Sequence, residues 1–143
     1  MLLPVTLTFA AGCAFINLWL AIRCVQRRFA AQAIHGDGGD PLLAHRMRAQ
    51  GNFIEYTPII LILFALVELA VGASQWLWLC AAAFLMARIA HGIGMDSDKP
   101  NPWRAGGMIV TFLVLVGLAI AALTVAYTAT RAIPAPPALA SGG

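Results

Sequence analysis

Charge is scarce in this chain. Of its 143 residues only 10% are Asp, Glu, Lys or Arg, whereas 61% are hydrophobic, and the mean hydropathy is +0.83. A water-soluble domain of this length has too much surface to cover with so little polarity. That excludes a soluble globular protein and predicts a small, single-domain integral membrane protein. Cysteine is sparse as well. Cys13, Cys24 and Cys80 lie in or beside apolar runs and share no metal-ligand spacing, so they read as buried thiols, not as a disulfide framework or a metal centre. Strict alternation of apolar and polar residues is missing, which argues against a transmembrane barrel. The net charge of +3 is mild. Its cations cluster between apolar runs, where membrane topology accounts for them and nucleic acid does not. A secretory leader is not expected, because the first apolar run is too long for one and arginines follow it instead of preceding it.

What is present is four apolar runs, at about residues 2–22, 53–71, 76–95 and 105–130. Each is close to the ~20 residues that cross a bilayer as a helix. The expected fold is all-α: a four-helix transmembrane bundle over residues 1–131, with a Pro-, Ala- and Gly-rich tail, 132–143, expected to be disordered. Local signals sharpen the helix ends. Asp40-Pro41 reads as an N-cap followed by proline at the first helical position, so the second helix should run from about Pro41 to Val71. Asn101-Pro102 repeats that signature before the fourth helix. The first helix should continue through Arg23, Arg27 and Arg28 to about Ile34 and stop at His35-Gly36-Asp37-Gly38-Gly39. Gly72-Ala73-Ser74 is short enough to make helices two and three an antiparallel hairpin. Arg23, Arg27, Arg28, Arg46 and Arg48 lie between spans one and two, and Lys99 and Arg104 between spans three and four. The positive-inside rule then places both loops in the cytoplasm and both termini on the opposite side.

The polar residues that remain are concentrated. Arg48, Asn52, Glu55 and Tyr56 share one face where the second helix enters hydrocarbon, and an ionisable group such as Glu55 in that position needs a reason. Counting outward from the hairpin turn places Glu55 and His91 at similar depth, with Arg88 about one turn deeper, ~5 Å. An Arg88–Glu55 ion pair is expected, within one subunit or across an interface. It could lock helices together, serve a ligand, or do both. Arg88, His91 and Met95 share a face of the third helix. Arg104 opens the fourth helix, where the macrodipole disfavours a cation. Either a bound anion, carboxylate or thiolate, favours it there, or it anchors the topology. Glu68 reads as an interfacial or interhelical group, and Asn17 as an interhelical hydrogen-bonding group. Trp76, Trp78 and Trp103 read as interfacial anchors, His35 and His45 as solvated residues without further metal ligands, and Asp96-Ser97-Asp98 as a solvated loop.

The run Arg48-Ala49-Gln50-x-Asn52-x-x-Glu55-Tyr56-x-Pro58 resembles the second-helix motif of the MAPEG superfamily, the membrane-associated proteins in eicosanoid and glutathione metabolism, in its leukotriene-C synthase branch. Ala87-Arg88-Ile89-Ala90-His91, with Arg104 at its spacing from Arg88, is similar to the prostaglandin-E synthase branch. The resemblance covers all four spans in order. It implies a homotrimer that binds glutathione between adjacent subunits near the cytoplasmic side. Arg48, Gln50, Asn52, Glu55 and Tyr56 would then bind the tripeptide from helix two, Arg88 and His91 from helix three, and Arg27 from helix one, with Arg104 stabilising the thiolate. Glutathione would be a co-substrate, and no metal is implied. Met95 stands where the family often has tyrosine, and a thioether donates no hydrogen bond.

A thiol with an ordinary pKa of about 8.5 is mostly protonated at neutral pH. An arginine at a helix N-terminus favours the thiolate, which is the nucleophile. The expected activity is a glutathione transferase or peroxidase acting on a lipophilic small molecule that arrives from the bilayer. The competing readings are a non-catalytic lipid- or glutathione-binding scaffold on the same fold and, with less behind it, a small transporter.

Overall fold

The computed structural model describes residues 2–132. They form four helices: α1 (Pro4–Ala30), α2 (Pro41–Val71), α3 (Gln75–Gly94) and α4 (Pro102–Ala132). No strand occurs among the described residues. The expected tail lies outside them from residue 133 onward. All four helices are long and apolar enough to cross a membrane, and large apolar side chains such as Phe15, Leu79, Leu113 and Leu123 are exposed on the outside of the bundle. In water such a surface would aggregate; in a bilayer it is the required solvent face.

Helices α2 and α3 form the expected hairpin. α3 packs most extensively on α4, α1 packs on α2 and α3, and α1 and α4 share no close backbone approach among the described residues. The centre of the bundle is aromatic. The Phe9 ring centroid lies 4.3 Å from that of Phe64 and 5.3 Å from that of Phe84, which joins α1, α2 and α3.

The helix starts follow from local chemistry. The Leu43 N–H donates to Asp40 Oδ1 at 2.7 Å, so Asp40 caps α2 and Pro41 opens it. The Arg104 N–H donates to Asn101 Oδ1 at 3.0 Å, repeating the cap at α4. The end of α1 departs from expectation. It falls at Ala30, not Ile34, because Gln32 takes a left-handed conformation with φ 51°. The Ala33 N–H then reaches back to the Arg28 carbonyl at 3.1 Å and the Gln32 N–H to that of Phe29 at 3.2 Å. These bonds form a Schellman closure, which normally announces itself with glycine. Here Ala33, packed with Cys24 and Leu43, supplies the apolar contact that secures it.

The start of α1 has no side-chain cap of its own. Glu68 of α2 caps it from outside: Val5 N–H donates to Oε1 at 3.0 Å and Thr6 N–H to Oε2 at 2.7 Å. The carboxylate is thus interhelical, one of the two roles expected for it. Glu68 is 1% exposed, so its loss leaves two amides unpaired in an apolar setting. Glu68→Ala is expected to destabilise the fold by about 2 kcal/mol, and Glu68→Gln, which keeps one carbonyl oxygen, by roughly half of that. Thermal unfolding in detergent reads both; wild-type melting in the pair would remove this role from Glu68.

Candidate functional site

At the end of the bundle away from the α2–α3 turn, a cleft of about 150 Å³ is lined by Arg48, Asn52, His91, Met95, Arg104 and Met108. Three helices build it. Arg48 and Asn52 are one turn apart on α2, His91 and Met95 one turn apart on α3, and Arg104 and Met108 one turn apart on α4, so each helix offers one i, i+4 pair.

The α3–α4 junction sets the position of Arg104. Asn101 bridges it, its Nδ2 donating to the Gly94 carbonyl at 2.7 Å while its Oδ1 caps Arg104. A Cβ at Gly94 would fall 2.5 Å from the Arg104 nitrogen, and one at Gly107 2.5 Å from the Ala87 carbonyl oxygen. Only glycine lets the two helices approach this closely. His91 Nδ1 then sits 3.0 Å from the Arg104 carbonyl oxygen.

Arg88 lies deeper and is 1% exposed. Its Nη2 donates to Asn52 Oδ1 at 2.8 Å and its Nη1 to Thr111 Oγ1 at 3.5 Å, and its guanidinium lies 5.6 Å from the centroid of the Phe53 ring. The ion pair expected between Arg88 and Glu55 is not formed within the chain. Glu55 instead faces Arg48 at 3.8 Å, with the two side chains 52% and 70% exposed. The physical reason is azimuth. Asn52 and Glu55 are about 60° apart around α2, and depth counting fixes height but not direction. Asn52 points into the bundle and takes the buried guanidinium; Glu55 points out beside Arg48. Tyr56 packs its ring edge-on against Phe112 of α4, with centroids 5.6 Å apart. Gln50 is half-buried on α2 and does not line the cleft.

Two further arginine clusters surround this end. Asp96, read from sequence as a solvated loop residue, accepts from Arg23 Nη2 at 2.5 Å and from Arg46 Nη2 at 3.1 Å. Arg23 also donates to the Gly92 carbonyl and Arg46 to the Arg23 carbonyl. Asp96 therefore ties α1 and α2 to the end of α3, directly beside Met95. Arg27 does not reach the cleft in one chain. It makes a bidentate pair with Asp40, Nε to Oδ1 at 3.0 Å and Nη2 to Oδ2 at 2.6 Å.

That pairing has a pH signature. The Arg27 guanidinium first, and the Leu43 N–H after it, hold the Asp40 carboxyl below its ordinary value. A carboxyl whose folded pKa is depressed contributes stability above its unfolded value of about 3.9 and loses it as pH falls through the folded value. The melting difference between wild type and Asp40→Asn should therefore be constant from neutrality down to about pH 5 and shrink below about pH 4. A difference independent of pH would contradict the pairing.

Four apolar membrane-length helices with an arginine-lined polar cleft at one end define a class: multi-pass membrane bundles with polar residues gathered at one end. Residues 6–124 match the MAPEG family, and the chain belongs to it. Over 120 residues it is 29% identical to the inner membrane protein YecN of Escherichia coli strain K12, an alignment covering 83% of this chain and 90% of the relative. The same figures hold for YecN of E. coli O6:H1 strain CFT073. The protein is thus an integral, multi-pass membrane protein of that family.

Within the cleft, Arg48, Asn52, His91 and Arg104 are residues the sequence motifs single out. Met108 is one they miss, although its place one turn after Arg104 on α4 would have suggested it.

Proposed function

We propose that this protein binds glutathione at the arginine-lined cleft and activates its thiol against a lipophilic electrophile, as a membrane glutathione transferase or peroxidase. One observation carries the reading: Arg104 stands in the first turn of α4 at the cleft and, among the described residues, its guanidinium has no hydrogen-bond or ion-pair partner. The other arginines named at this end have partners, Arg23 and Arg46 in Asp96, Arg27 in Asp40, Arg48 in Glu55 and Arg88 in Asn52, and Lys99 of the α3–α4 loop does not line the cleft. A free guanidinium at the positive end of a helix dipole favours an anion, and a thiolate is the anion that makes a small cleft of this kind reactive.

The cleft of one chain is smaller than the ~300 Å³ at which pockets for drug-sized ligands begin and suits the thiol arm alone. Arg48 and Glu55 stand exposed on the outer face of α2, where a neighbouring subunit would complete a site for the charged remainder of the tripeptide. A homotrimer with cytoplasmic clefts is the assembly this reading requires. Gln50, Tyr56 and Arg27 then serve the subunit boundary more than the cleft itself. The electrophile enters from lipid, along the apolar surfaces beside the cleft.

The test is calorimetric titration of glutathione into the purified protein, paired with conjugation of an activated aryl halide. Saturable binding with conjugation is expected. Binding of lipid with no affinity for glutathione would replace this reading with the scaffold one.

A further inference from the structure

We infer that His91 is the proton acceptor for the thiol, through Nε2; the inference rests on the glutathione reading above. His91 Nδ1 lies 3.0 Å from the Arg104 carbonyl oxygen. A carbonyl only accepts, so Nδ1 carries the hydrogen and the neutral ring keeps its lone pair on Nε2. That atom is buried and has no partner among the described residues, in a residue 3% exposed. Of the six residues with such an atom among those described, His91 is the one that lines the cleft, where an unpartnered acceptor calls for a role.

The rest of the cleft leaves the role to His91. Arg48 and Arg104 only donate. The Asn52 Oδ1 is already taken by Arg88 at 2.8 Å. Met95 and Met108 are weak acceptors. Among the lining residues, the imidazole is the group able to take a proton. Its orientation is fixed as that of a base should be, by a third group behind it. The Arg104 carbonyl does this from the first turn of α4, and the close packing of Gly107, where a Cβ would fall 2.7 Å from His91 Cβ, holds the two helices together. One residue thus serves both partners of the step: the Arg104 guanidinium faces the sulfur and its carbonyl orients the base.

In the step, the S–H bond breaks, the proton moves to Nε2 and the electron pair stays on sulfur. Sulfur then forms a bond to the electrophilic carbon as the bond to the leaving group breaks with its pair, and the imidazolium releases its proton to the leaving group or to water. The proton transfer leaves the net charge of the site unchanged. That matters where Arg88 of α3 and Arg104 of α4 lie near the ring, Arg48 of α2 lines the same cleft and Arg23 of α1 holds the adjacent Gly92 carbonyl at 2.8 Å.

The test uses the full chain in lipid nanodiscs. His91→Asn keeps an amide N–H near the Nδ1 position and deletes Nε2. It should retain saturable glutathione binding, weakened far less than the rate, while conjugating an activated aryl halide about 10²-fold more slowly at neutral pH. The deficit should shrink as pH approaches the free-thiol value of about 8.5, and added imidazole should restore rate to His91→Ala. Intact binding with an unchanged pH–rate profile overturns the inference and leaves the glutathione reading standing; no binding by wild type overturns both. If the variants do not fold, nitrogen NMR of labelled histidine in a protein with His35 and His45 replaced by glutamine decides the matter. A ring protonated at Nδ1 with bare Nε2 supports the inference, and the opposite tautomer overturns it.

Discussion

Arg104→Ala is expected to lower kcat/KM for glutathione conjugation by about 10²–10³-fold, as loss of one preorganised donor to a developing anion does, while glutathione affinity changes by less than about tenfold. The split follows from geometry. Asn101 caps the Arg104 backbone and joins it to the Gly94 carbonyl, so the helix start survives the substitution and only the guanidinium is removed. In the proposed function, binding of the charged tripeptide would lean on the other polar residues, above all Arg48 and Glu55, which stand exposed on the outer face of α2. Arg104→Lys keeps a point charge without the planar fork and should fall between the two proteins. Steady-state kinetics beside calorimetry reads the split, and equal, substantial activity in wild type and alanine variant would remove Arg104 from thiolate stabilisation.

The second large effect is on stability. Asp96→Ala should destabilise the bundle by about 2 kcal/mol, between the cost of losing an exposed ion pair and that of breaking a buried one, and lower the melting temperature by several degrees. The side chains of Arg23 and Arg46 are only 13% and 19% exposed and that of Asp96 is 32% exposed, so two largely desolvated guanidinium groups would lose their shared anion. Each keeps one backbone carbonyl, Gly92 for Arg23 and Arg23 for Arg46, which moderates the loss. Asp96→Asn retains an acceptor oxygen and should cost less. Asp37 is the control: its carboxylate is exposed and meets only the Gly39 N–H, so Asp37→Ala should change stability by less than about 0.5 kcal/mol. If Asp96→Ala behaves like Asp37→Ala, the cluster does not hold the three helices together.

The features legible in sequence are those set by neighbouring residues. Asp40-Pro41 and Asn101-Pro102 place the starts of α2 and α4 because capping is local chemistry, and Gly72-Ala73-Ser74 gives the hairpin. The end of α1 was not legible, because a left-handed Gln32 stands where glycine would have marked the stop. The cleft was partly legible. Arg48, Asn52, His91 and Arg104 stand out because polar groups in apolar helices need partners. Which partners they take depends on helix rotation, and for that reason Arg88 meets Asn52 and not Glu55 within one chain. Asp96 was the hardest to foresee, since its partners lie 73 and 50 residues away in sequence and nothing in Asp96-Ser97-Asp98 distinguishes it from a solvated loop.

The central claim is that the cleft ionises a bound thiol, and the ultraviolet absorbance of the thiolate measures it directly. With glutathione saturating the wild-type protein, the bound thiol should be largely ionised at neutral pH, well below its ordinary value of about 8.5, and should return toward that value in Arg104→Ala. A bound thiol that titrates in wild type as it does in free solution would contradict the account.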